Sequence, residues 1–213
     1  MIDLNALRIE GFVEIEGLES EEHLVELARG VGKCLPNPDG SLISRVRANN
    51  GNCARQGTFS HTYGLSSFPM HTDTAYNSLP IRYLVLGMLN SSAATTTHIN
   101  IKKLMEAGPP NLLKLARESV YLVQTFEQAK YTSVMFSSNG VTGVRYDPNI
   151  MTPANRSAKK FELVLAEAIK GAEAKEVCWR GNRAIILDNW ECLHGRSHVL
   201  ENNREILRVY VES

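Results

Sequence analysis

Three blocks of the sequence carry residue types that bind metals and anions. They are Phe68-Pro69-Met70-His71-Thr72-Asp73, Asp188-Asn189-Trp190-Glu191-Cys192-Leu193-His194-Gly195-Arg196 and Arg204-Glu205-Ile206-Leu207-Arg208. In an extended segment, residues i and i+2 project to the same side, so His71 and Asp73 can chelate one ion together. A His-x-Asp pair alone is a weak signal, and its bland reading is a loop histidine near a turn. His194 changes that balance: it lies far downstream, so it must reach the pair from another strand. Two imidazoles and one carboxylate on one face of an ion leave the other face open, which is the 2-His-1-carboxylate arrangement of non-haem Fe(II) chemistry. The open positions suit a chelating cosubstrate and dioxygen. Arg204 suits the remote end of a dicarboxylate, because a planar guanidinium grips a carboxylate bidentately.

These residues need strands to carry them. Gly11–Ile15 reads as a first strand, and Ser20 caps a helix with Leu24, Leu27, Ala28 and Val31 on one face, ended by Gly32 and Pro36. Residues 37–79 read as mostly irregular apart from a strand at Leu42–Val46, and so long a loop in a compact domain marks a functional surface. Arg82–Leu89 reads as a buried strand. Asn100 caps a short helix stopped by Gly108, and Pro110–Arg117 is a second. Val120–Thr125, Thr132–Phe136 and Gly143–Asp147 read as strands, the last two joined by the Ser137–Gly140 turn. Ala154–Ile169 is the clearest helix. The chain then returns to strands at Glu176–Trp179, Ala184–Leu187 and Ile206–Val211, with a polar loop before the last. This order points to a mainly β fold with flanking helices, not a doubly wound sheet.

Composition narrows the function. The chain has 213 residues, which predicts one domain over 1–213. Lys+Arg and Asp+Glu are both 23, so no excess of positive charge supports nucleic-acid binding. No apolar run approaches membrane-spanning length. The N-terminal residues show no basic region followed by an apolar core, and the four cysteines have no Cys-x-x-Cys spacing, so a reduced, cytoplasmic setting is expected. No Gly-rich phosphate loop is present.

The three blocks, together with Pro80-Ile81-Arg82-Tyr83 opening a strand, resemble the taurine dioxygenase/clavaminate synthase-like family of Fe(II)/2-oxoglutarate-dependent oxygenases. The resemblance spans roughly residues 60–211. It implies a double-stranded β-helix (jelly-roll) core, Fe(II) held by His71, Asp73 and His194, and 2-oxoglutarate as cosubstrate with O2. Where family members often carry Gly-Gly-x-Thr, this chain has Ser92-Ala93-Ala94-Thr95-Thr96, so Thr96 is the implied cosubstrate-binding threonine and Thr95 the fallback. Spacing from His194 favours Arg204 as the anchor of the distal carboxylate, with Arg208 assisting or facing substrate. The chain is short for the family, which leaves room for a homo-oligomer that completes the pocket.

Other residues are weighed beside these. His61 and Tyr63 precede the metal motif and are candidates for the substrate pocket, against a surface histidine and a packed tyrosine. Arg145 is a substrate candidate, against a salt bridge to Asp147. His98 and His198 fall off the ligand pattern. Trp190 and Cys192 read as packing residues, Cys192 with a liability to oxidation. The expected reaction is hydroxylation of an unactivated C–H bond in a small polar acid or amino-acid-like molecule, releasing succinate and CO2. A non-catalytic metal- or ligand-binding sensor and a metal-dependent hydrolase using the same ligands stay open.

Overall fold

A computed structural model describes residues 2–49, 54, 58–200 and 204–212; Cys53 lies outside them. Among the described residues there are six helices and fifteen strands, and every strand pairing is antiparallel. The mainly β expectation holds. In chain order come α1 (Leu4–Glu10), β1 (Phe12–Glu16), α2 (Glu21–Arg29), β2 (Lys33–Leu35), β3 (Ser44–Arg47), α3 (Phe59–Tyr63), β4 (Phe68–His71), β5 (Tyr83–Met88) and β6 (Thr96–Asn100). They are followed by α4 (Ile101–Ala107), α5 (Leu112–Glu118), β7 (Val120–Gln124), β8 (Ala129–Ser133), β9 (Met135–Ser138) and β10 (Val141–Val144). The chain ends with β11 (Met151–Pro153), α6 (Arg156–Gly171), β12 (Lys175–Val177), β13 (Arg183–Asp188), β14 (Cys192–Arg196) and β15 (Glu205–Glu212).

Two sheets matter for the site. The larger runs β1-β13-β5-β15-β2, with β3 also on β15; the smaller runs β12-β6-β14-β4. Alternation along β5 explains the layering. Leu84 and Leu86 pack with Ile185 of β13, Val177 of β12 and Cys192 of β14, so they fill the space between the sheets. Val85 points the other way, into a cluster with Leu7 of α1 and Leu24 and Leu27 of α2. Gly87 permits that contact, because a Cβ there would stand 2.8 Å from a Leu24 methyl. Behind the smaller sheet, Leu193 of β14 packs with Met105, Leu112 and Phe161 of α4, α5 and α6.

Local signals set most boundaries. Asn100 caps α4 by accepting from the Lys103 amide at 2.9 Å, and Asn155 caps α6 by accepting from Ala158 at 2.8 Å. Asn139 and Gly140, at φ 49° and 76°, form the turn between β9 and β10. Four readings need correction. The Thr132–Phe136 strand is split between β8 and β9, because the chain leaves one small sheet for another there. The 37–79 stretch holds α3 and β4 besides β3. The polar loop before the last strand contains β14, a central strand. Cys192 is fully buried, donates to the Gly11 carbonyl at 3.3 Å, and burial pushes its thiol far up, so it is an inert packing residue and not an oxidation site. No described helix is long and apolar enough to cross a membrane.

Candidate metal centre

The ladder between β4 and β14 builds the cluster. His71, the last residue of β4, is the register partner of His194 in the middle of β14. β6 flanks β14 on its other side, so His194 sits on a braced strand. Asp73 follows in a tight turn. Thr74 adopts a left-handed φ of 57°, uncommon for a residue with a Cβ, and its hydroxyl accepts from the Ile81 amide at 2.8 Å to hold that shape.

Asn189 locks the turn from below. Its side chain accepts from the Asp73 amide at 2.8 Å and donates to the carbonyls of Asp73 (3.0 Å) and Ile81 (2.9 Å). Asn189 is fully buried, so truncation strands backbone groups away from water. Asn189→Ala is expected to cost roughly 2–4 kcal/mol in urea unfolding of the metal-free protein. A loss under about 0.5 kcal/mol, the scale of a neutral surface change, would show that the turn is held by other contacts.

Three ligand atoms converge. Asp73 Oδ1 lies 3.4 Å from His71 Nε2 and 3.5 Å from His194 Nε2, and the two rings are 4.4 Å apart. An octahedral ion with bonds near ~2.1 Å separates adjacent ligand atoms by about 3 Å; the two Asp73 distances are near that, and since the three atoms lie within 4.8 Å of one another the cluster can close on a metal. His71 Nδ1 donates to the Pro69 carbonyl at 2.9 Å, which fixes the ring with Nε2 toward Asp73; an ion bound there would take the place of the Nε2 proton. Burial opposes a charge on Asp73, but hydrogen bonds from His194 and His71 and the Arg208 charge outweigh it and hold the carboxyl well below its usual range. Burial and the neighbouring His71 push His194 down, toward the neutral form that ligates. The donor set fits a 2-His-1-carboxylate iron site.

A cavity of about 750 Å³ opens beside the cluster, of a size suited to a small metabolite. His71, Asp73, Arg208 and Tyr210 form one wall, and the β7–β8 hairpin at Gln124–Gln128 forms another. Phe59 of α3 also lines it and packs tilted against the His71 ring, 4.3 Å between centroids. The helix explains this choice: Phe59 and Tyr63, four apart, share a face and stack at 5.6 Å, while His61 is exposed. Thus neither His61 nor Tyr63 lines the cavity, and Phe59 takes the place expected of them.

The arginines divide their work. Arg208 Nη1 donates to Asp73 Oδ2 at 3.1 Å, and the Tyr210 hydroxyl donates to the same oxygen at 2.8 Å. Arg204 is buried on β15's approach, on the same face two and four residues before Ile206 and Arg208. Thr96 is buried and accepts from Trp179 Nε1 at 2.9 Å, leaving its hydroxyl hydrogen available. Neither Thr96 nor Arg204 is part of the cavity lining. Arg145 departs from both of its expected roles. Its guanidinium is buried and donates to the carbonyls of Ala75 (3.2 Å), Asn77 (2.6 Å) and Ser78 (2.9 Å), so it pins the loop after the metal motif. Arg196 does the same for the carbonyls of Gly64 and Ser66.

One cavity residue had no sequence signal of its own. Asp147 is buried, lines the cavity and accepts from the backbone amides of Asn149, at 2.8 Å, and Ile150. Burial pushes it up to about 6, against the opposing charge of His71. Its neighbours in sequence, Arg145 and Tyr146, suggested a salt bridge instead.

No family model matches the sequence, and no curated protein is similar enough to count as a relative. Solved structures do match. PvcB from Pseudomonas aeruginosa superposes with a TM-score of 0.74 at 17% identity, covering 99% of this chain and 78% of that one. Asparagine oxygenase, solved with Fe(II), 2S,3S-3-hydroxyasparagine and succinate, gives 0.77 at 14% identity, covering 98% and 77%. The non-haem iron oxygenase OrfP, solved with Fe, succinate and (3S)-hydroxy-L-Arg, gives 0.72 at 15% identity, covering 99% and 77%. The chain therefore has the fold of these oxygenases, and within that fold it carries the His71-Asp73-His194 cluster.

Proposed function

We propose that this protein is an Fe(II)- and 2-oxoglutarate-dependent oxygenase that hydroxylates an unactivated C–H bond of a small amino-acid-like molecule. The observation that carries the reading is the convergence of His71 Nε2, His194 Nε2 and Asp73 Oδ1 on the wall of a metabolite-sized cavity. In this reading the two facing sheets are a double-stranded β-helix. His71, Asp73 and His194 hold the iron, and Arg204 with Thr96 holds the distal carboxylate of 2-oxoglutarate. Bound there, iron and 2-oxoglutarate supply the oxidising chemistry with O2, and succinate and CO2 leave.

The chain's own residues then do the positioning. Asn189 and Thr74 keep the ligand turn in one shape, and Arg145 holds the following loop against the site. Phe59 packed against His71 excludes water from one side of the cluster. Asp147 supports an amine on the substrate: a buried carboxylate in the cavity repels an anion and pairs with an ammonium. Asparagine oxygenase and OrfP, with their hydroxylated amino acids, agree with that substrate class.

The test is an anaerobic titration of metal-free protein with Fe(II) and 2-oxoglutarate, followed by visible absorption. The expected result is the weak charge-transfer band of a chelated keto acid, absent in His71→Ala and weakened in Arg204→Ala. Bound Fe(II) without that band would overturn the oxygenase reading and leave a metal-binding sensor or a hydrolase.

A further inference from the structure

Resting on that reading of the metal centre, we propose that Tyr210, together with Arg208, is a positioning residue that restricts Asp73 to ligation through one oxygen. The Asp73 backbone is held at both the amide and the carbonyl by Asn189, so rotation of the side chain is its one remaining freedom. Tyr210 and Arg208 remove that freedom by placing two donors on Oδ2, which uses both lone pairs of that oxygen. Oδ1 is left facing the two histidine Nε2 atoms.

The donors are themselves rigid. They lie two apart on β15, on the same face, and the Arg208 guanidinium stacks over the Tyr210 ring at 4.5 Å. Tyr210 is paired through its backbone with Leu84 of β5 on one side and Leu35 of β2 on the other. The phenol is a neutral donor, so the carboxylate keeps its full charge for an ion. A carboxylate free to swing would bind through both oxygens and close one of the positions that a bidentate cosubstrate and O2 require. No sequence pattern marks Tyr210; it follows from the register of β15.

Tyr210→Phe removes one hydroxyl and keeps the ring. The experiment compares wild type, Tyr210→Phe and Tyr131→Phe, an exposed tyrosine on β8, as metal-free proteins loaded with Co(II) and separately with Fe(II) plus 2-oxoglutarate without oxygen. Tyr210→Phe is expected to shift the Co(II) ligand-field spectrum, to weaken Co(II) binding about 10- to 100-fold and to weaken the keto-acid band, with Tyr131→Phe matching wild type. A Tyr210→Phe protein with wild-type Co(II) spectrum, affinity and keto-acid band overturns the role of Tyr210 and leaves the oxygenase reading standing. A wild-type protein that binds neither metal overturns both.

Discussion

An Asp73→Asn protein is expected to keep its fold and to lose Fe(II) affinity by at least about 100-fold, the upper end of what an outer-shell change costs. Asparagine has the same shape, and its carbonyl still accepts from Tyr210 and Arg208, but it offers the ion no charge. Competition against a metal-sensitive dye measures the affinity, and succinate release measures the consequence. Asp73→Gly, which removes the ligand altogether, is expected to abolish hydroxylation; intact activity would show that the ligands are assigned wrongly. The carboxylate also carries acid stability. Its folded pKa is depressed, so its contribution is complete above the ordinary carboxylate value of about 3.9 and is lost as pH falls through the folded value. Asp73→Asn should accordingly flatten the acid limb of the metal-free stability curve.

Asp147→Asn should act with the opposite sign. Here the folded pKa is raised from 3.8 to about 6, so between those values the native state binds the extra proton and stability falls as pH rises. Above pH 6 the metal-free wild type carries the whole penalty, and the asparagine, whose carbonyl can still accept from Asn149, does not. Urea unfolding at pH 7.5 should show the variant more stable by up to about 3 kcal/mol, with no gain near pH 3.5. The same change removes one carboxylate from the cavity wall. For an amine-bearing substrate KM should rise roughly 10- to 100-fold, the worth of one charge-assisted hydrogen bond, while the keto-acid band stays as in wild type. An unchanged KM would remove Asp147 from substrate recognition. Stability gained and binding lost from one atom is the signature of a buried charge kept for a ligand.

Legibility in the sequence followed physical locality. Helices α2, α4 and α6 announce themselves through a cap and an apolar stripe, because both are written within one turn. The five residues of α3 are too few to show a period, and a helix that short stands only through tertiary packing, so Phe59 was hidden behind the more conspicuous His61. β14 reads as polar because it carries His194 and Arg196, yet it is buried on both faces between β4 and β6 and shows no alternation. An arginine's sequence context does not reveal its partner: Arg145 looked like a substrate or salt-bridge residue, and the path of residues 75–78 gave its fork three carbonyls instead.

The donor set and its order are written along the chain: a His-x-Asp pair in an extended segment, a distant histidine, and arginines entering the last strand. Residue type carries ligand chemistry and spacing carries the side of a strand, so both can be read along the chain. Tertiary structure alone decided which groups act on that set. The β4–β14 register put His71 opposite His194, β15 turned Tyr210 and Arg208 onto Asp73, and the loop after β10 buried the Asp147 carboxyl in the cavity wall. The first two of these depend on strands distant in sequence meeting at one register, and a shift of one residue would have turned His71, His194, Arg208 and Tyr210 to the opposite face.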